Sequence, residues 1–435
     1  MSIEKNNSYL QPAGENTNGN SMINRGKPVV TAIIIAFLYY ATARLSLLLA
    51  IGSTNASPVW PPSGIALAAI LFYGYRAGWA VLSGAFFANM FVLKGLGLIP
   101  LYFISVSFST AIGNMLEAII GVYFIRRFIP AGNPFENIKD LLIFIIYACL
   151  LNSMISATTG VCSYSIATGN WKIFVTMWST WWLGDVSGIL IVSPLIILIG
   201  KKTPVGVSSG HVPETIVAFI LLISVSLVIF FERFQLEYII IPILVWIALR
   251  LGRLYSAVSI LLVSGIAVAC LTWGAMYSGD NVSRGVLLLV QTYIGVISII
   301  TLCLSVLSYE RSVLDKSRLA VQKQLYDIIE FLPDATFAID IGGKVIAWNR
   351  AIEELSGISK NDMLGKMEYE YAIPFFGERR PILIDLVMKN HDSSLLETYE
   401  YLEKKGMVLT AERYNPRINR YLSGAASALM DSEGN

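Results

Sequence analysis

The chain has 435 residues, 55% of them hydrophobic and 14% charged, with a formal net charge of +2. Average soluble domains carry about 25% charged residues, so the deficit points to a membrane, and the near-neutral balance removes nucleic acid from the natural partners. Charge is concentrated late: residues 309–435 hold 16 of the 32 Lys and Arg and 20 of the 30 Asp and Glu, which places the end of the membrane part near Ser308.

Residues 1–27 are polar and rich in asparagine, without the apolar mass that offsets chain entropy, and read as a disordered cytoplasmic tail. The apolar run from Pro28 to Ala50 that follows is long enough to span a bilayer and lacks a small-residue cleavage site, so it is not a signal sequence. Ten helices follow from the positions of Pro, Gly and charged residues: 28–50, 63–75, 77–93, 99–125, 140–168, 171–199, 213–231, 236–249, 254–277 and 286–308. Several fall short of the ~20 residues of a simple span; the second and eighth need tilt, a re-entrant path or protein on all sides, because bare backbone cannot face lipid.

Basic residues alternate between loops, as the positive-inside rule requires of a correct span count. One set of connections holds Arg76, then Arg126, Arg127 and Lys139, then Lys201 and Lys202, then Arg250 and Arg253, and continues to Arg311 and Lys316. The other set holds single charges at Lys94, Lys172, Arg233 and Arg284. Both termini are therefore assigned to the cytoplasm and the chain to the inner (plasma) membrane as a multi-pass protein.

From Leu307 onward, Leu307, Leu314, Val321 and Ile328 recur every seventh residue, with Leu325 and Leu332 on one side. The segment 309–332 reads as a helical signalling linker able to pair with a copy of itself in a homodimer; a lone amphipathic helix docked on the next domain fits the same pattern. From 333 to 435 short strands alternate with helices: strands at 335–340 and 344–348 around the Gly342-Gly343 turn, helices at 349–355 and 381–389, then strands at 398–402, 407–414 and 421–430. Asp431 to Asn435 reads as a hairpin turn with no returning strand, so the domain is expected to lack its last strand. The fold class is a polytopic α-helical membrane bundle of about ten helices followed by a small α+β domain.

Polar residues at membrane depth are costly and are functional candidates by default: Arg44, Asn89, Asn114, Glu117, Asn152 and Asp185. Asn114, Glu117 and Gly121 share a helix face, and Trp178, Trp181, Trp182 and Asp185 repeat that spacing on another helix. Glu117 and Asp185 are expected to face the bundle interior and share one polar cavity with Arg44 or Asn114. Either they bind a ligand there, or they orient one another to fix helix packing while Gly184 and Gly188 allow close approach. Trp60-Pro61-Pro62-Ser63-Gly64 is a rigid helix entry, with Ser63 as a helix cap or Trp60 as an interfacial anchor. Cys149, Cys162, Cys270 and Cys303 lie in apolar stretches as packing residues, and His211 and His391 have no metal-ligand neighbours. No phosphate loop, dinucleotide fingerprint or zinc-protease helix is present, so catalytic and metal residues are read as none.

Taken together, Trp60-Pro61-Pro62-Ser63-Gly64, Gly113-Asn114 with Glu117-Ala118, and Trp181-Trp182-Leu183-Gly184-Asp185 with Pro194 resemble the first type of bacterial and archaeal membrane-associated sensor domain (MASE), over 28–308. The later part resembles a PAS domain: Leu332-Pro333-Asp334-Ala335 opens it, Asp340 and Gly343 mark its first hairpin, Asn349-Arg350-Ala351 starts its first core helix, and Gly357 and Gly365 sit at its turns. The resemblance implies a receptor whose membrane domain perceives a small molecule, lipid state or partner and whose PAS domain relays it. Related chains end in histidine-kinase, diguanylate-cyclase or phosphodiesterase modules. No phosphoacceptor-histidine helix, ATP-binding box or Gly-Gly-Asp-Glu-Phe loop occurs here, so the chain reads as the input half of a sensor histidine kinase, with a cyclase or phosphodiesterase input half as the alternative. A transporter is the reading from another class; the lack of an internal repeat and the run of the last helix into a PAS-like domain count against it. Partners are membrane lipid, a second copy and a downstream kinase, cyclase or separate signalling protein. No cofactor is evident, since the PAS region holds no cysteine for flavin photochemistry and no well-placed heme histidine, and the PAS ligand is left open.

Overall fold

The structure is a computed structural model that describes residues 28–49, 57–94, 100–201, 212–232, 236–278, 284–388, 399–416 and 419–428. The expected tail over 1–27, His211, His391, Lys202, Arg233 and the closing turn at 431–435 lie outside the described residues. The chain divides into two units, Met1–Val313 and Leu314–Asn435.

Among its described residues the first unit consists of helices joined by turns and carries no strand. Its elements are α1 (Pro28–Leu48), α2 (Pro61–Tyr73), α3 (Gly78–Lys94), α4 (Pro100–Phe128), α5 (Ile138–Ile143), a π-helical stretch (Phe144–Leu151), α6 (Ser153–Thr168), α7 (Phe174–Gly200), α8 (Val212–Phe231), α9 (Ile240–Arg250), α10 (Arg253–Ser278) and α11 (Arg284–Phe331). Seven helical segments among the described residues are long and apolar enough to cross a membrane. Of the short helices the sequence marks as needing protein around them, α2 has Leu67, Ala68 and Ile70 fully enclosed, and α9 has Ile240, Ile243, Leu244 and Ile247 in its own cluster against α8 and α10.

Two differences from the expected elements have clear causes. α2 begins at Pro61 rather than 63, because Pro61 and Pro62 bring a preset φ and no amide to satisfy; Ser63 is therefore inside the first turn and does not cap it. The run expected as one helix over 140–168 changes to π geometry between α5 and α6. Such stretches free backbone groups and are found at functional sites. Here the indole of Trp182 donates to the Leu150 carbonyl at 2.8 Å.

The last expected span and the expected linker form the single 48-residue helix α11. At its charged stretch, Glu310 accepts a hydrogen bond from the Ile138 amide at 3.1 Å, and the Arg253 guanidinium lies 3.3 Å from the centre of the Tyr309 ring.

The second unit carries β1 (Phe337–Ile339), β2 (Val345–Trp348), α12 (Arg350–Ser356), α13 (Lys360–Met363), α14 (Ile373–Phe376), α15 (Leu383–Met388), β3 (Tyr401–Lys405), β4 (Val408–Asn415) and β5 (Arg420–Ser427). Among the described residues the strands form two antiparallel sheets, β1-β2 and β3-β4-β5. Asp340 closes the first hairpin by accepting from the amides of Gly342 and Lys344, both at 2.9 Å. Trp348, Ile352, Met363 and Tyr371 fill the core beside β2. Buried Asn349 caps α12 by accepting from the Ile352 amide, accepts also from the Thr336 amide, and donates to the Asp334 and Leu332 carbonyls. One side chain therefore ties the domain entry to its first core helix, which is why an Asn stands at this position.

Candidate functional site

The site is assembled where α2 meets α7. The Trp60 amide donates to the Gly184 carbonyl at 3.0 Å, and the Ser193 hydroxyl donates to the Gly64 carbonyl at 3.1 Å. A Cβ at Gly188 would collide with the Trp60 backbone, and one at Gly64 would collide with the Gly188 carbonyl. The two motifs are thus halves of one backbone-to-backbone contact, which small residues alone permit. Its consequence is to fix Ser63, on the first turn of α2, beside Asp185 on α7.

Ser63 Oγ lies 2.9 Å from Asp185 Oδ1 and 3.3 Å from Glu117 Oε2 of α4. All three are enclosed: Ser63 is 3% exposed, Glu117 2% and Asp185 0%. Asn152, at the end of the π stretch, donates its amide to the Glu117 carbonyl, and Ser156 of α6 donates to Asn114 Oδ1 at 2.7 Å, one turn before Glu117. Tyr39 of α1, with no exposure, has its hydroxyl in the field of both acids. Among the described residues neither carboxylate has an ion-pair partner.

Ser63 thus brings Glu117 and Asp185 together, while Asn114, one turn before Glu117, takes its hydrogen bond from Ser156 and Arg44 lies elsewhere. The Arg44 guanidinium lies 3.7 Å from the centre of the Phe91 ring, between α1 and α3. Its separation follows from the α1–α3 packing, where Phe91 offers a π face without desolvating a carboxylate. Asn89 donates to the Ala85 carbonyl of its own helix at 2.9 Å. Trp178 stacks on Trp182 and donates to Thr158 Oγ1, while the Trp181 ring lies over Gly160; all three indoles brace α7 against the α5–α6 run. Ser63, read as a cap, is instead the bridge between the acids.

Sequence reasoning missed four contributors. Gln291 of α11 has no exposure and donates to the Thr180 and Ser57 carbonyls at 3.0 and 3.3 Å, which ties α11 to the same face of α7. Its signal was available, an amide inside an apolar run. Tyr39, Ser153 and Ser156 carried none, because single hydroxyls are ordinary in membrane helices.

The MASE1 family profile matches residues 30–312, and the PAS fold matches residues 323–394. The chain belongs to the MASE1 family. No curated protein and no solved structure matches it. A MASE1 domain followed by a PAS domain is a membrane-associated sensory input module of signalling proteins, and both are sensory rather than catalytic domains. That pairing also points to a downstream signalling partner.

Proposed function

We propose that this protein is the sensory half of a membrane receptor of the histidine-kinase type, that it perceives its signal at the Ser63–Glu117–Asp185 centre, and that α11 carries the response in a homodimer. The observation that carries the reading is α11 itself: one helix runs from Gln291, at the face of α7 next to Asp185, to Phe331, inside the PAS match that begins at residue 323. A route from the acids also exists through the α5–α6 run. Its π end holds the Glu117 carbonyl through Asn152, and its start is held by Glu310 of α11. Packed helices move between discrete arrangements more readily than they deform.

Leu307, Leu314, Val321 and Ile328 of α11 are 44%, 63%, 53% and 53% exposed in the single chain. A seven-residue apolar seam left open on one chain is what a second copy covers. The alternation of basic loops supports a plasma-membrane protein with both termini in the cytoplasm. Among related architectures a kinase module is favoured over a cyclase or phosphodiesterase by the resemblance alone. The test is to assay the receptor extended through its downstream coding region for autophosphorylation from ATP and for cyclic-dinucleotide turnover. Phosphate incorporation supports the kinase reading, and cyclic-dinucleotide synthesis or hydrolysis without it removes that reading.

A further inference from the structure

On the side of the first unit, α1 and α3 pack against each other and leave between them a groove of about 940 Å³. Ile33, Phe37 and Tyr40 of α1 and Phe87 and Phe91 of α3 line it, and Gly84 forms its floor, where a Cβ would come within 2.7 Å of the Ala36 carbonyl. Ile33, Phe37, Phe87 and Phe91 are exposed, so the groove opens away from the bundle. α1 is long and apolar enough to cross a bilayer, which makes hydrocarbon the medium along most of that opening. One end differs. Arg44 stands one turn beyond Tyr40, with its guanidinium 3.7 Å from the centre of the Phe91 ring. Arg126 and Arg253 donate to carbonyls of the chain and Arg250 donates to Glu214; Arg44 donates to no described residue and pairs with no described acid. A charge at membrane depth is costly without a counter-ion. The Phe91 face offsets part of that charge and offers no oxygen to the five N–H donors of a guanidinium.

We propose that this groove seats one acyl chain of an anionic phospholipid, with the headgroup phosphodiester on Arg44. The dimensions fit: Ile33 to Arg44 spans roughly 16 Å along α1, close to half of a ~30 Å hydrocarbon core and so the depth of one leaflet. The chemistry fits as well. A guanidinium presents paired N–H groups to phosphate oxygens, and a single positive charge is balanced by a phosphodiester that carries no ammonium of its own, as in phosphatidylglycerol, better than by phosphatidylcholine. Arg44 is four residues from the end of α1 at Leu48, from where its long stem reaches the headgroup level. With the amino end of α1 in the cytoplasm, that headgroup belongs to the outer leaflet. The groove shares no residue with the Ser63–Glu117–Asp185 centre, so its failure as a lipid site leaves the sensory reading as it stands.

The test is native mass spectrometry of the purified 435-residue chain, released from detergent micelles doped with equal amounts of phosphatidylglycerol and phosphatidylcholine, with gel filtration to check each variant for folding. The wild-type chain should retain one phosphatidylglycerol in preference to phosphatidylcholine by about fivefold, the scale of one basic side chain at an anionic surface. Arg44→Gln should bring that ratio close to one, and Arg44→Lys should keep much of it. Ser83 also lines the groove, with its hydroxyl donating to the Trp79 carbonyl of its own helix. Ser83→Phe should lower retention of both lipids by filling the space, and it keeps the measurement interpretable if either Arg44 variant fails to fold. Equal retention of both lipids by the wild type, an unchanged ratio in Arg44→Gln, or retention untouched by Ser83→Phe overturns the proposal. So does displacement of the phospholipid by equimolar palmitate, which assigns the groove to a free fatty acid, and so does a dimer that Ser83→Phe converts to monomer with no change in bound lipid, which assigns it to a second copy.

Discussion

The buried carboxyl groups of the two units, Asp385 in one and Glu117 with Asp185 in the other, have opposite surroundings. In the PAS unit Asp385 accepts from the Tyr371 hydroxyl at 2.6 Å and from the Ile382 amide at 2.8 Å, so both oxygens are used. Burial, with Asp385 alongside, pushes the Tyr371 phenol well above its ordinary value. In the MASE1 unit Glu117 and Asp185 share one serine and, among the described residues, have only rotatable serine hydroxyls around them, with no backbone amide on either. A fully satisfied polar group is architecture, which fixes a local structure and gains nothing from a ligand. One held by hydroxyls that rotate can change its partners as its surroundings change. The difference separates residues that hold the protein together from residues that respond.

The largest expected effect breaks the contact on which the site depends. Gly188→Val drives a side chain into the Trp60 backbone and should cost more than ~4 kcal/mol, seen as loss of folded protein on gel filtration of membrane extracts. Gly265→Ala, on α10 with open space at its Cβ, should be neutral or slightly stabilising. Next comes Asn349→Ala, which removes a helix cap and strands the Thr336 amide. A loss of about 2–4 kcal/mol is expected, confined to the PAS unit and read as faster amide exchange in β1 and α12 of the whole chain. Full protection in those segments would mean that Asn349 is not the hub.

The fixed and the adaptable carboxyls should then part company. Tyr371→Phe strands an oxygen of Asp385 and should destabilise the PAS unit by about 1.5–3 kcal/mol. The raised Tyr371 value makes its contribution complete below pH ~10, the usual tyrosine range. That contribution is lost at higher pH, as the folded-state phenol ionises. Glu117→Gln and Asp185→Asn should leave insertion and folding intact, because each removes an uncompensated charge, while altering the signal response of the extended receptor. Destabilisation by either beyond that of Tyr371→Phe would place the acids among the packing residues. The smallest effect is Trp182→Phe, which frees the Leu150 carbonyl at about 1 kcal/mol.

How much of this was legible in the chain depends on the range of the physics. Helix positions were, since apolar runs and the alternation of Arg76, Arg126, Lys201 and Arg250 are local or nearly periodic signals. Strands β1 to β5 were, through alternation and the Gly342-Gly343 turn. Glu117 and Asp185 were marked by desolvation cost alone. Their bridge was not: Ser63 looks like a helix cap until the glycines of α7 bring α2 close enough to turn it inward. The π stretch was equally hidden, because nothing in Phe144 to Leu151 departs from an ordinary apolar helix. Arg44, one of two alternatives that charge complementarity offered, lies over Phe91 instead, because distance in the fold decides.

The most direct test of coupling between the acid centre and α11 is disulfide crosslinking in native membranes. Cysteines at Leu314 and Val321, on the open seam, are compared with cysteines at Ser317 and Lys323, in otherwise unchanged chains and in chains carrying Glu117→Gln or Asp185→Asn. The account predicts preferential crosslinking at the seam, and a change of about fivefold or more in the seam-to-flank ratio when either acid is neutralised, the scale of an ordinary coupling free energy. An identical ratio in folded wild-type and variant chains, or equal crosslinking at all four positions, would contradict it.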